Sequence, residues 1–331
     1  MKRLLALALF ALAQLAPAAT PLQSLDGAGP WINSPPLTAA QLRGKVVLVD
    51  FWTYSCINCL RTLPHLRAWA QKYGPQGLVV IGVHAPEFSF EKKPDNVAKA
   101  VQRLQLAYPI AIDGDFKAWR AFGTQAWPTF HLVDAQGRVR HRQVGESGYE
   151  QTERVIQKLL MEAGAAPTGG AAPVASGGLG MAPDYGNLRS PETYLGYQHG
   201  AARGIAPDRR QRYAGGEPRL NGWALSGDWV VRAEHAELAG DGGSIVQRFH
   251  ARDLHLVMGP AADGKPLRFR ITLDGQPPGA DHGDDVDADG RGEIVGERLY
   301  QLVRQRGAVR ERRFEIRFEG PGAKAYAFTF G

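Results

Sequence analysis

Cys56 and Cys59 are the only two cysteines in the 331-residue sequence. Their C-x-x-C spacing follows the apolar run Lys45–Trp52 and opens a helical pattern from Leu60 to Tyr73, in which Leu63, Leu66, Trp69, Ala70 and Tyr73 recur at three- and four-residue steps. A sulfur at the start of a helix sits beside unpaired backbone N–H groups and the positive end of the helix dipole, and both favour thiolate over thiol. The helix direction makes Cys56 the exposed nucleophile. Cys59, one turn further in, is placed to displace a mixed disulfide. The chemistry this arrangement suits is thiol–disulfide exchange. Two other uses of the pair fit less well. A disulfide closing so short a loop removes little chain entropy. Zinc needs four ligands, and neither His65 nor His84 has ligand spacing to the pair.

Two further elements bear on that chemistry. Asp50 ends the apolar run six residues before Cys56. A carboxylate there is expected to be buried with a raised pKa and able to relay a proton to or from Cys59; capping the strand end is the competing role. Trp127-Pro128-Thr129-Phe130 reads as a tight turn into an apolar strand. The sequence leaves the isomer of Pro128 open.

The elements that must hold these residues alternate strand and helix. Lys45–Trp52 and Leu78–Val83 read as strands buried on both faces, Asn96–Leu106 as a helix and Tyr108–Ile112 as a short strand. Phe130–Val133 and Val139–Val144 flank the turn Asp134-Ala135-Gln136-Gly137 as a hairpin, and Tyr149–Ala163 closes with a helix. That order predicts a mixed sheet with flanking helices, an α/β fold. Residues 165–180, rich in Ala, Pro and Gly, predict a flexible linker. Beyond them helical periodicity is weak and short alternating strands follow one another, predicting an all-β sandwich of the jelly-roll type. The expected division is a leader at 1–18, the α/β domain at 19–164, the linker at 165–180 and the β-domain at 181–331.

The leader is expected because Met1-Lys2-Arg3 precedes an apolar run of about a dozen residues and the small-x-small site Ala16-Pro17-Ala18. A periplasmic or secreted location follows, one that permits disulfides. No later segment approaches 18 uninterrupted apolar residues. The composition, 44% hydrophobic and 22% charged, is that of a globular chain, and a net charge of +6 spread along it does not imply nucleic acid. Two cysteines also exclude a disulfide-stapled scaffold and a cysteine-rich metal protein.

Val49-Asp50-Phe51-Trp52, then Cys-x-x-Cys, then Trp127-Pro128-Thr129, resembles the thioredoxin superfamily. The long segment His84–Tyr108 resembles its TlpA-like and redoxin branch. Phe51–Cys59 is similar to the thioredoxin-like part of DipZ proteins, which join it to a β-domain resembling a carbohydrate-binding module; Ser190–Gly196 and Arg298–Val303 resemble that β-domain. The resemblance implies a thiol–disulfide oxidoreductase without a cofactor, with Cys56 as nucleophile, Cys59 as resolving thiol, Asp50 as buried acid and Pro128 in the cis form. It also implies Trp52, Trp127 and Pro128 beside the substrate, a protein disulfide, and favours reduction over oxidation. DipZ proteins begin with a membrane-embedded electron-transfer domain that this sequence does not show. The expected electron donor is therefore a separate membrane protein resembling the CcdA/DsbD class. Ile57-Asn58 replaces the Gly-Pro of general thioredoxins, so no redox potential carries over.

Two competing functions follow from other features. Thr53 lies three residues before Cys56, as in the peroxidatic T-x-x-C of a redoxin-type thiol peroxidase, although Val49 stands where that motif has proline. Alternatively the chain is a non-enzymatic module binding protein or glycan. Trp223 and Trp229 could face a sugar ring or lie in the core, and the core is favoured. Asp285–Glu293 has the alternating oxygens of a calcium loop but Gly296 at its twelfth position, which favours a solvated acidic turn. The late arginines, Arg298 to Arg313, read as a solvated face or a surface for an acidic partner.

Overall fold

The computed structural model describes residues 20–167, 169–175, 177–199 and 204–331. The expected leader lies outside these. The first half comprises β1 (Trp31–Ile32), β2 (Val46–Trp52), α1 (Ile57–Tyr73), β3 (Leu78–His84), α2 (Pro94–Arg103), β4 (Ile110–Ile112), α3 (Lys117–Ala121), β5 (Thr129–Val133), β6 (Val139–Val144) and α4 (Tyr149–Glu162). Its sheet runs β1-β4-β3-β2-β5-β6, with β2–β3 and β3–β4 parallel and the other pairs antiparallel. β2 is central, and all seven of its residues are buried. That burial is why its sequence is an unbroken apolar run rather than an alternation. Val46 and Leu48 enter one core with Leu60, Leu63, Leu66 and Trp69 of α1, while Val47, Val49 and Phe51 enter another on the opposite face with Phe122. The mixed α/β sheet agrees with expectation; α3 and the two-residue β1 were not anticipated.

The second half contains β7 (Thr193–Tyr194), β8 (Arg210–Ala214), β9 (Trp223–Val231), β10 (Ala236–Leu238), β11 (Ser244–His250), β12 (Asp253–Gly259), β13 (Leu267–Leu273), β14 (Arg291–Ile294), β15 (Arg298–Arg304), β16 (Glu311–Phe318) and β17 (Lys324–Phe330). All strand pairs are antiparallel. Hydrogen bonding runs as one continuous path, β14-β13-β16-β11-β9-β10-β17-β12-β15, which curls over its own core. Residues far apart along that path meet inside: Phe269 on Tyr300, Phe249 on Phe330 and Phe314 on Phe328. The two faces of the expected sandwich are thus joined through the short β10.

The halves share apolar contacts rather than standing apart. Val257, Leu299, Tyr326 and Ala327 of the β half belong to the same buried cluster as α1 and α2. Tyr326 packs on Phe88 and Phe90, with ring centroids 5.1 and 4.8 Å away. The Gly/Ala/Pro segment between the halves is also seated. Ala172 is buried and its N–H donates to Glu153, while Gly178–Gly180 runs along α1.

Candidate active site

The chain leaves β2 at Trp52, turns through Thr53-Tyr54-Ser55 and enters α1 with Cys56 as its N-cap, in an extended conformation at φ −87°, ψ 115°. The Cys56 sulfur accepts the backbone N–H of Cys59 at 3.4 Å. A sulfur in that position meets the first free N–H groups of the helix, where negative charge is best accommodated. Cys56 is half-buried and faces a cleft; Cys59 is fully buried behind it, and the two thiols are unbridged. Burial, the hydrogen bond with Cys56 and the charge of Asp50 push the Cys59 thiol well above the usual range, against a smaller opposing contribution from the Thr53 backbone.

Asp50 is fully buried in β2, and neither of its carboxylate oxygens has a hydrogen-bond partner. Burial alone pushes its carboxyl well above the ordinary carboxylate range. A carboxyl held in that state is suited to exchange a proton rather than to act as a fixed charge. The Trp127–Pro128 peptide is cis. Trp127 is half-buried, donates its indole N–H to Ala85 O at 3.0 Å and lines the cleft before Cys56.

A second carboxylate fixes the approach to Cys56. Glu91 is fully buried and accepts four hydrogen bonds: from the N–H and Oγ of Ser55 at 3.2 and 2.7 Å, and from the N–H groups of Glu87 and Phe88 at 2.7 and 3.0 Å. It ties the turn preceding Cys56 to the segment following β3. His84, at the end of β3, is also fully buried; burial lowers its pKa to about 3, so it is neutral. Its Nε2 meets the Thr53 hydroxyl at 3.3 Å, and its ring stacks on Tyr54.

Residues 33–160 match the Redoxin family profile, and residues 190–331 match the profile described as a thioredoxin-like C-terminal domain. The thiol-disulfide oxidoreductase YkuV of Bacillus subtilis is 31% identical over 143 residues, which cover 43% of this chain and 95% of YkuV. This chain belongs to the redoxin family. Its first half is a thioredoxin-like domain that carries the Cys56–Cys59 pair. DipZ of Mycobacterium tuberculosis and DipZ of Mycobacterium bovis are each 38% identical over 263 residues, 75% of this chain. The match spans only 37% of the length of those DipZ proteins.

Within the redoxin domain, the structure brings Cys56, Cys59 and Asp50 to one end of the sheet, with Trp127 on the cleft wall. It does not bring Trp52 there. Trp52 is fully buried, packs edge-on against His84 and does not line the cleft, so its expected place beside the substrate is corrected to a core role. Pro128 is buried next to Trp127 and likewise contributes no lining atoms. Thr53, the residue of the peroxidatic pattern, is fully buried with its hydroxyl against His84.

The acidic residues of the cleft were all missed: Glu87, Glu146 and Glu192. Only the stretch Pro86-Glu87-Phe88-Ser89-Phe90-Glu91 carried a readable signal. It interleaves carboxylates with aromatic residues just after a buried strand, where open α/β sheets place their sites.

The β-domain signals resolve to structural roles. Trp229 is fully buried, with its N–H on Ser226 O, and Trp223 is half-buried against the same core. Asp285 pairs with Arg298 at 2.6 Å, and Asp289 pairs with Arg291 at 2.7 Å, so these oxygens of the acidic turn are already engaged. Arg304, Arg312 and Arg313 are likewise held by Asp253, Asp274 and Glu217.

Proposed function

We propose that this redoxin is exported and reduces protein disulfides. One observation carries the reading: a half-buried thiol at a helix N-terminus opens onto a cleft, with a second, fully buried thiol one turn behind it. The Cys56 thiolate attacks a substrate disulfide. A Cys56–substrate bond forms, and one substrate sulfur leaves and takes up a proton. Cys59 then loses its proton to the Asp50 carboxylate and attacks Cys56; the second substrate sulfur leaves as a thiolate and takes up a proton. Two electrons pass to the substrate, and the Cys56–Cys59 disulfide remains. A membrane dithiol donor of the CcdA/DsbD kind returns those electrons.

Support for the reducing direction comes from the surroundings of the pair. Strong oxidants stabilise their reduced form by favouring a thiolate. Here burial and the nearby Asp50 carboxylate act against charge on Cys59, which leaves the Cys56 sulfur as the one member of the pair to carry it. The potential in glutathione buffers is therefore expected to be more negative than about −200 mV; a value near the roughly −120 mV of strong oxidants would reverse the direction. Insulin-disulfide reduction tests the assignment of the pair. Wild type should reduce insulin and Cys56→Ser should not, while Cys59→Ser should accumulate mixed disulfides with substrate. Reduction surviving Cys56→Ser would remove Cys56 as nucleophile. Export is tested by cell fractionation and N-terminal sequencing of the mature chain, expected to begin at Ala19.

A further inference from the structure

We propose that the β half is the substrate-selecting wall of the redox site, and that the cleft takes polypeptide disulfides carrying a lysine or arginine close to the half-cystine. The inference rests on Cys56 being the attacking thiol.

The cleft before Cys56 has a volume of about 420 Å³ and is built from both halves of the chain. Ile57, Asn58 and Trp127 form the near side, and Tyr185, Tyr194 and Phe330 stand opposite. A substrate reaching Cys56 through this cleft therefore touches the β half before exchange begins. The far wall is fixed, because the Tyr194 hydroxyl reaches Glu87 Oε1 at 2.5 Å across the boundary, within the shared apolar packing of Tyr326, Phe88 and Phe90.

The charge of the cleft is one-sided. Glu87, Glu146 and Glu192 line it, and among the described residues none that lines it is lysine or arginine. Their oxygens outnumber the available donors. Tyr194 lies 2.5 Å from Glu87 and 3.2 Å from Glu192, yet a hydroxyl has one hydrogen to give. Glu146 has a nearly fully buried side chain. Its Oε1 is held by Arg61 at 3.1 Å, while its Oε2 is buried without a partner among the described residues. A buried carboxylate oxygen left unpaired is costly, and a donor arriving with the substrate removes that cost. Burial, and then the neighbouring Glu192 and Glu91 charges, push the Glu87 carboxyl up to about 8, as expected of acids grouped without a cation. An ammonium or guanidinium group supplies both the donors and the charge that the cleft lacks.

The test uses the reduced full-length chain and two disulfide-linked peptides that differ only in lysine or glutamate beside each half-cystine. Rates are measured at pH 8.5, where Glu87 is largely ionised and lysine still charged, at low salt and at 0.5 M salt. The lysine peptide should react about tenfold faster at low salt, with the gap narrowing as salt screens it. Glu192→Gln and Glu87→Gln should each lower the lysine-to-glutamate rate ratio at least threefold. A ratio of two rates on one sample is insensitive to the fraction of protein folded. Equal rates for the two peptides, or a ratio unchanged in both variants, would overturn the inference while leaving thiol exchange intact. Failure of wild type to reduce either peptide would overturn the exchange reading and this inference together.

Discussion

Asp50 in β2 and Asp253 at the start of β12 are both fully buried, one in each half of the molecule. Asp253 is surrounded by arginine: Arg304 Nε lies at 2.7 Å, the Arg252 guanidinium at 2.5 Å, and Arg61 of the redoxin half reaches to 4.0 Å. Burial works to raise its pKa, but Arg252 and Arg304 outweigh that and hold the carboxyl below its ordinary value. Asp50 has no hydrogen-bond partner among the described residues, and burial keeps it well above that value. The β half buries a charge together with its compensation. The redoxin half buries an acid without any, beside the thiol that must gain and lose a proton. A buried ionisable group with complete pairing serves the fold, and one left unpaired points to chemistry.

The sharpest way to break this contrast is to remove each carboxylate. Asp253→Ala strands Arg304 and Arg252 at the boundary between the halves and should cost about 3–5 kcal/mol, read from urea unfolding at pH 7. A loss below about 1 kcal/mol would mean that water replaces the carboxylate and that the network is not structural.

Asp50→Asn should act in the opposite direction. Because the folded pKa is raised, ionisation in the unfolded chain above its ordinary pKa of about 4 costs the native state stability as pH rises. The amide removes that cost and should stabilise the fold by about 1–3 kcal/mol at pH 7, with the gain vanishing below about pH 4. Resolution of the mixed disulfide should slow by about a hundredfold, since Cys59 loses its proton acceptor. Stabilisation without slowing would leave Asp50 a burial defect with no role in exchange.

The contrast also explains what could be read from sequence. Cys56, Cys59 and Asp50 lie on one strand–turn–helix segment, so local pattern exposed them. β13 (Leu267–Leu273) is legible, because apolar and polar residues alternate along it. β8, whose residues are Arg-Gln-Arg-Tyr-Ala with none buried, left no such trace. The cleft was invisible for another reason. Glu87 and Tyr194 are 107 positions apart, and only the packing of one half on the other brings them together. Trp52 was misplaced although the signal was present: a strand buried on both faces leaves no side chain free to meet a substrate.

Acid titration separates the halves more gently. His84 in the redoxin half and His255 in β12 are both fully buried, and burial lowers each to about 3. His255 also faces Arg61, Arg304 and Arg252, which lower it further, and Asp253, which raises it. A depressed folded pKa means that the unfolded chain binds the proton first. The stability contributed is complete above about pH 6.5 and is lost as pH falls towards 3. Each histidine should thus cost about 1 kcal/mol by pH 6 relative to pH 8. His255→Leu and His84→Leu should flatten the pH profile equally, because the proton count is the same. Their pH 8 baselines should differ. His255 has no partner on either nitrogen, so leucine leaves that baseline level or higher. His84→Leu strands the Thr53 hydroxyl three residues from Cys56 and should lower it by about 1 kcal/mol. Equal baselines would show that the Thr53–His84 contact contributes nothing to the turn that carries the reactive thiol, leaving the carboxylate of Glu91 as the group that holds it.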